Sequence, residues 1–173
     1  MRRASRFLCI AFWFLSCRGS HPAAGQAANT ESLITSAYLA ASGDADVCAL
    51  ATHQARLPET RELGAALQRT LTGMRADLAT VAQRRGIALP KGPEEKKVAL
   101  HDNLAMLPGR IFDQGYALAM FQDTRAMLQM EKTGDADVRN IIAKYDAQLR
   151  AHQSDASQVL DHAGGTPWPA FEP

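Results

Sequence analysis

The chain has 173 residues, 46% of them hydrophobic, 21% charged and only 6% aromatic, with a formal net charge of +1. This composition suits one globular domain. It excludes collagen-like, mucin-like and fully disordered chains, which carry fewer apolar residues or a larger net charge.

The first segment reads as a secretory signal. Arg2, Arg3 and Arg6 precede an unbroken apolar run from Phe7 to Leu15, and a basic start followed by a short apolar stretch is the pattern an export signal requires. The run is far shorter than the ~20 residues of a membrane span. Cleavage is expected near residue 26, in the small-residue stretch 20–28. A second reading makes Phe14-Leu15-Ser16-Cys17 a lipobox, with Cys17 becoming the lipidated first residue. Either route makes the protein exported, and periplasmic or outer-membrane associated. Four arginines leave with the signal while every acidic residue stays, so the mature body is mildly acidic, near a charge of about −3. Such a surface lacks the clustered Lys and Arg that hold phosphates, and no nucleic-acid partner is expected. Contact with a membrane is expected only through a lipid on Cys17. Cys48 is the one cysteine in the body, so there is no disulfide framework, and a core must supply the stability.

Apolar residues then recur at helical spacing through most of the chain. A first helix is expected from Thr30 to about Leu57, capped by Asn29 or Thr30 and broken at Ser42-Gly43-Asp44. The second runs from Pro58 to Arg85, with Pro58 in its first turn and Gly86 after its basic end. Its stripe, Leu63, Leu67, Leu71, Met74, Leu78 and Val81, is a core-facing seam. After Pro90, Gly92 and Pro93, a short helix covers about Glu94 to Met106. The fourth spans about Arg110 to Lys132 and buries Phe112, Tyr116, Ala119, Met120, Met127 and Met130. Gly134 ends it, and Asp135 caps the last helix, about Ala136 to His162. Residues 164–173, with two glycines and three prolines, read as a flexible tail. Four long helices with mostly short connections argue an all-α, antiparallel four-helix bundle over 27–163, with one short extra helix.

Four words of sequence carry a family resemblance: Ala40-Ala41-Ser42-Gly43-Asp44-Ala45-Asp46-Val47, Gly86-Ile87-Ala88-Leu89-Pro90, Leu107-Pro108-Gly109-Arg110-Ile111-Phe112-Asp113-Gln114-Gly115-Tyr116, and His152 in the last helix. In this order and spacing they resemble the domain-of-unknown-function family 4142. The resemblance implies an exported bacterial envelope protein with a ferritin-like helical bundle. It makes Phe112, Asp113 and Tyr116 motif residues. It also implies an Asp-His pair late in the second helix, a second pair after the Phe-Asp and Tyr, a His in the last helix and a Glu in the first. Here those positions fall on Thr70 and Leu71, on Asp123 and Thr124, on His152, and on Asp46. The histidine cluster is therefore largely lost.

Two readings of the remaining polar residues stand side by side. Asp123 and His152 each follow an apolar stripe residue by three, so they can face each other in the core and fix helix register. Alternatively Asp46, Asp123 and His152 are a remnant site for a divalent metal, although a zinc or iron site needs three or more converging ligands. A weaker metal contact is His152, Asp155 and His162 on one edge of the last helix. Cys48 reads as a small buried core residue, or as a link between two chains. No nucleophile elbow, phosphate loop, dinucleotide fingerprint or paired Cys-x-x-Cys is present. The sequence reading is thus of a non-catalytic interaction or stress-related protein of the envelope, with no cofactor. Its partner would be an envelope protein or a second copy of itself. The rival reading is a metal-binding ferritin-like protein.

Overall fold

The structure is a computed structural model; it describes residues 24–133 and 135–164. The described residues are all-helical, in five helices: α1 (Ala24–Gln54), α2 (Pro58–Arg85), α3 (Glu95–Ala105), α4 (Gly109–Thr133) and α5 (Ala136–Ala163). No described helix is long and apolar enough to cross a membrane. The basic start, the apolar run 7–15, Cys17, Gly134 and residues 165–173 lie outside the described residues.

The stripe on α2 is wholly buried, as are Phe112, Tyr116, Met120 and Met127 on α4. On α5, Val138, Ile141, Ile142, Leu149 and Val159 are buried with them. The helix ends follow local chemistry. Pro58 opens α2, and Gly86 closes it at φ 69°, a left-handed conformation that costs a residue with a side chain. Asp135 caps α5 by accepting the Asp137 N–H at 2.9 Å.

The first helix differs from the sequence expectation in two ways. It begins at Ala24, within the segment read as signal, and it runs through Ser42-Gly43-Asp44 without a break. Ser-Gly-Asp is turn-like in composition, but here the three residues serve packing. A Cβ placed on Gly43 would sit 2.6 Å from Cβ and Cγ of Lys97. The glycine lets α3 lie directly against α1, and that contact holds the helix together across a weak residue.

Cross-helix pairs fix the arrangement. Thr70 meets His152, Asp77 meets Lys144 and Tyr145, and Arg85 meets Asp135 and Asp137, so α2 and α5 run antiparallel. Arg56 and Leu57 meet Asp113, while Cys48 meets Tyr116, so α1 and α4 do the same. The α1–α2 and α4–α5 hairpins pack most extensively. Since α2 and α4 then point the same way, residues 86–108 must climb the length of the molecule. Helix α3 makes that climb over the seam between α1 and α4. Gln54 Nε2 holds its upper end by donating to the carbonyls of Leu104, Ala105 and Leu107 at 3.3, 3.0 and 2.8 Å.

Candidate functional site

Polar side chains inside the fold form three groups. The first lies where α3 crosses the α1–α4 seam. Lys97 Nζ is 2.6 Å from Asp44 Oδ1 and 2.8 Å from Asp123 Oδ2. Asp44 is 1% exposed, and its Oδ2 has no hydrogen-bond partner. One ammonium thus serves two carboxylates. Burial first, then the neighbouring Asp123 carboxylate, lifts the Asp44 pKa to about 7, with Lys97 opposing both.

Directly along α1 from Asp44 comes a chain of weaker donors. Tyr116 O–H donates to Cys48 Sγ at 3.3 Å, and the Cys48 thiol donates to Met120 Sδ at 3.6 Å. Tyr116 stacks on Phe112 with ring centroids 5.8 Å apart. Burial pushes the Cys48 pKa up to about 12, with the carboxylates of Asp44 and Asp123 adding to it against the Tyr116 hydrogen bond. A thiol so held is not a nucleophile at neutral pH, because the thiolate is the reactive form. Cys48 is fully buried, which places it in the core rather than at a surface where two chains could be linked. Next to this chain, the buried Asp113 carboxylate accepts the N–H of Arg56 and of Leu57 at 3.1 and 3.2 Å. It closes the α1–α2 turn. The motif residues Phe112, Asp113 and Tyr116 therefore hold α4 against the α1–α2 hairpin.

The third group lies between α2 and α5. Thr70 Oγ1 and His152 Nε2 share a hydrogen bond of 2.9 Å. His152 is 8% exposed, its Nδ1 lacks a hydrogen-bond partner, and Asp155 Oδ2 stands 4.0 Å away. Burial lowers the His152 pKa, which Asp155 counters and Arg69 reinforces. Nearby, Glu59, Glu62, Arg69, Asp155, Gln158 and His162 line an open surface groove of about 540 Å³.

The residues singled out from the sequence are dispersed among these groups. Asp46 is exposed, Asp123 pairs with Lys97, and His152 pairs with Thr70. Asp123 and His152 do not bond to each other. Nor do His152, Asp155 and His162 act as one set, since His162 Nδ1 faces Glu59 Oε1 at 3.9 Å. Among the described residues, no group of three or more His, Cys, Asp or Glu could hold a metal ion. Sequence reasoning overlooked Asp44 and Lys97. The signal was available: Asp44 sits three after Ala41 and four before Cys48, on the buried stripe of Ile34, Ala37, Ala41, Cys48 and Ala51, while Asp46 sits off it.

The helices, the buried Phe-Asp and Tyr, and the His152 position agree with the sequence resemblance. A search of curated proteins and one of solved structures each found no match. A family model described as Domain of unknown function (DUF4142) matches residues 17–159. Because that match covers most of the chain, the protein belongs to this family.

Proposed function

We propose that the chain is an exported cell-envelope protein built on a ferritin-like four-helix bundle, acting by interaction rather than catalysis. One observation carries the second half of this reading: the interior groups with acid–base, nucleophilic or ligating chemistry are engaged in structural bonds. Asp113 closes a turn, Tyr116 donates to Cys48 and Cys48 to Met120, Lys97 ties Asp44 to Asp123, and His152 holds Thr70. A catalytic constellation needs a nucleophile or base free to meet substrate. Antiparallel neighbours with one long crossover favour the ferritin-like description, since that topology uses a single long connection.

Export rests on the basic start and apolar run of residues 1–15, and places the protein in the periplasm or at the outer membrane. The partner is another envelope protein or a second copy. The family's histidine positions here carry Leu71 and Thr124, both buried, which supports a cluster that has decayed into core and requires no cofactor. The test is fractionation of bacterial cells producing the full chain, with an intact mass of the product. A mass cut near residue 26 in the periplasm fits the proposal, as does diacylglyceryl-Cys17 in the outer membrane. Full-length protein in the cytoplasm contradicts it.

A further inference from the structure

The open groove between α2 and α5 holds more carboxylate than it neutralises. Glu59, Glu62 and Asp155 line it against a single guanidinium, Arg69. With histidine counted as neutral, two negative charges are left over. The floor between them is apolar, with Ala66 and Val159 on facing helices. Exposed carboxylates by themselves are served by water and salt. A buried atom at the groove wall makes a more specific demand.

That atom is Nδ1 of His152, and Thr70 sets its state. The Thr70 hydroxyl donates to the Ala66 carbonyl at 3.3 Å. Its oxygen therefore accepts from His152 Nε2 in the 2.9 Å bond between them. A buried ring disfavours the charged form. A neutral imidazole with its proton on Nε2 keeps a bare lone pair on Nδ1. The His152 side chain is only 9% exposed, and Nδ1 has no hydrogen-bond partner. What Nδ1 faces is the Asp155 carboxylate on the groove wall, with Oδ2 4.0 Å away. Two acceptors thus confront each other without a donor between them, and a buried acceptor left unmet is costly. The Asp155 side chain is 52% exposed, so it can turn to admit a donor from the groove.

A nitrogen about 2.8–3.0 Å from each acceptor bridges a gap of this size. A primary ammonium brings three donors and one positive charge, so it meets the orphaned lone pair and the carboxylate together. A metal ion does not suit the place, because among the described residues no third ligand converges there. Thr70 stands level with His152, and Glu59 with His162. Asp155 is then level with Ala66 or Leu67, and Glu62 lies roughly 6–7 Å farther along the groove at about 1.5 Å per residue. We propose that this groove binds a linear aliphatic diammonium ion with a stem of about four or five methylenes. One ammonium bridges His152 Nδ1 and Asp155, the other sits between Glu62 and Glu59, and the stem lies on Ala66 and Val159. Its two charges balance the surplus of the groove. The inference is independent of export and of any protein partner, and its failure would leave both untouched.

The experiment is titration of the full chain with putrescine, the four-methylene diamine, at constant ionic strength. Nitrogen NMR of the histidine rings follows it, with His152 assigned through its backbone. Saturable binding is expected, with the Nδ1 resonance moving from the bare lone-pair position toward the hydrogen-bonded one. Butylamine, which has one ammonium, should bind about tenfold more weakly or worse, since it forgoes a set of charged hydrogen bonds. Asp155→Asn and Glu62→Gln should each weaken putrescine binding by about tenfold for the same reason. Both positions are exposed, so these variants keep the fold and carry the test without altering the core at His152. No saturable binding, an Nδ1 resonance that stays in place, butylamine binding as tightly as putrescine, or either variant binding like wild type would each overturn the proposal.

Discussion

Three side chains show how a buried polar residue is kept in this core by giving it a specific partner. Asp113 neutralises two backbone donors that no helix would otherwise satisfy, and charged acceptors of this kind are worth about 1.5–3 kcal/mol each. Asp113→Ala is therefore expected to cost about 3 kcal/mol in urea unfolding, with the α1–α2 turn loosened. A loss below about 1 kcal/mol would mean that water replaces the carboxylate without strain. Thr70 takes a position where the family resemblance implies an aspartate, yet it still reaches His152. Thr70→Val removes that bond and leaves Nε2 unpaired, for an expected loss of about 1–3 kcal/mol. The His152 pKa is lowered in the fold, so the sign of its linkage is fixed. Its contribution is present above the unfolded value near 6.5 and is lost as pH falls below it, because the unfolded chain takes a proton that the fold resists. His152→Gln should flatten that part of the stability–pH curve below about 6.5; an unchanged curve would place the titration elsewhere.

At the scale of the helix, the positions that stand out are those where two backbones come close. A Cβ on Gly64 would meet Ala51 Cβ at 2.6 Å and the Cys48 carbonyl oxygen at 3.0 Å. The carbonyl belongs to the backbone and cannot swing aside. Gly64→Ala should thus destabilise by about 1–3 kcal/mol through overpacking, despite the ~1 kcal/mol gain in helix propensity. A rise in stability would show that α1 and α2 separate freely. The helices themselves were legible in sequence because stripes such as Leu63 to Val81 repeat at a period that only a helix buries on one side. The caps at Pro58, Gly86 and Asp135 were legible for the same local reasons. The course of α1 was not. Its buried face is mostly alanine, a small signal beside the turn-like Ser-Gly-Asp, and what fills the gap at Gly43 is a lysine more than fifty residues away.

For the molecule as a whole, that same non-locality explains why Asp44 and Lys97 went unrecognised. A lysine on a short, polar helix reads as solvated, and its ion pairs exist because residues 86–108 are carried across the α1–α4 seam. Of the site, the motif residues and His152 were legible as positions but not as bonds, since Thr70 and Cys48 are unremarkable in sequence. The resulting picture is of an interior in which Asp113, Lys97, Thr70 and Tyr116 each find a partner, while Asp44 Oδ2 and His152 Nδ1 are buried without one. Raised above its unfolded value, Asp44 contributes stability that is complete below about 3.8 and disappears as pH climbs through about 7. It opposes His152 in sign, so the two substitutions Asp44→Asn and His152→Gln should bend the stability–pH curve in opposite directions.

The central claim, that these polar groups hold the fold and not a cofactor, is tested most directly by elemental analysis of the protein, purified without a tag from the cells that make it. The account predicts zinc, iron and copper far below one per chain, with the same content in wild type and His152→Ala. Near-stoichiometric metal that is lost in His152→Ala or Asp123→Ala would contradict it.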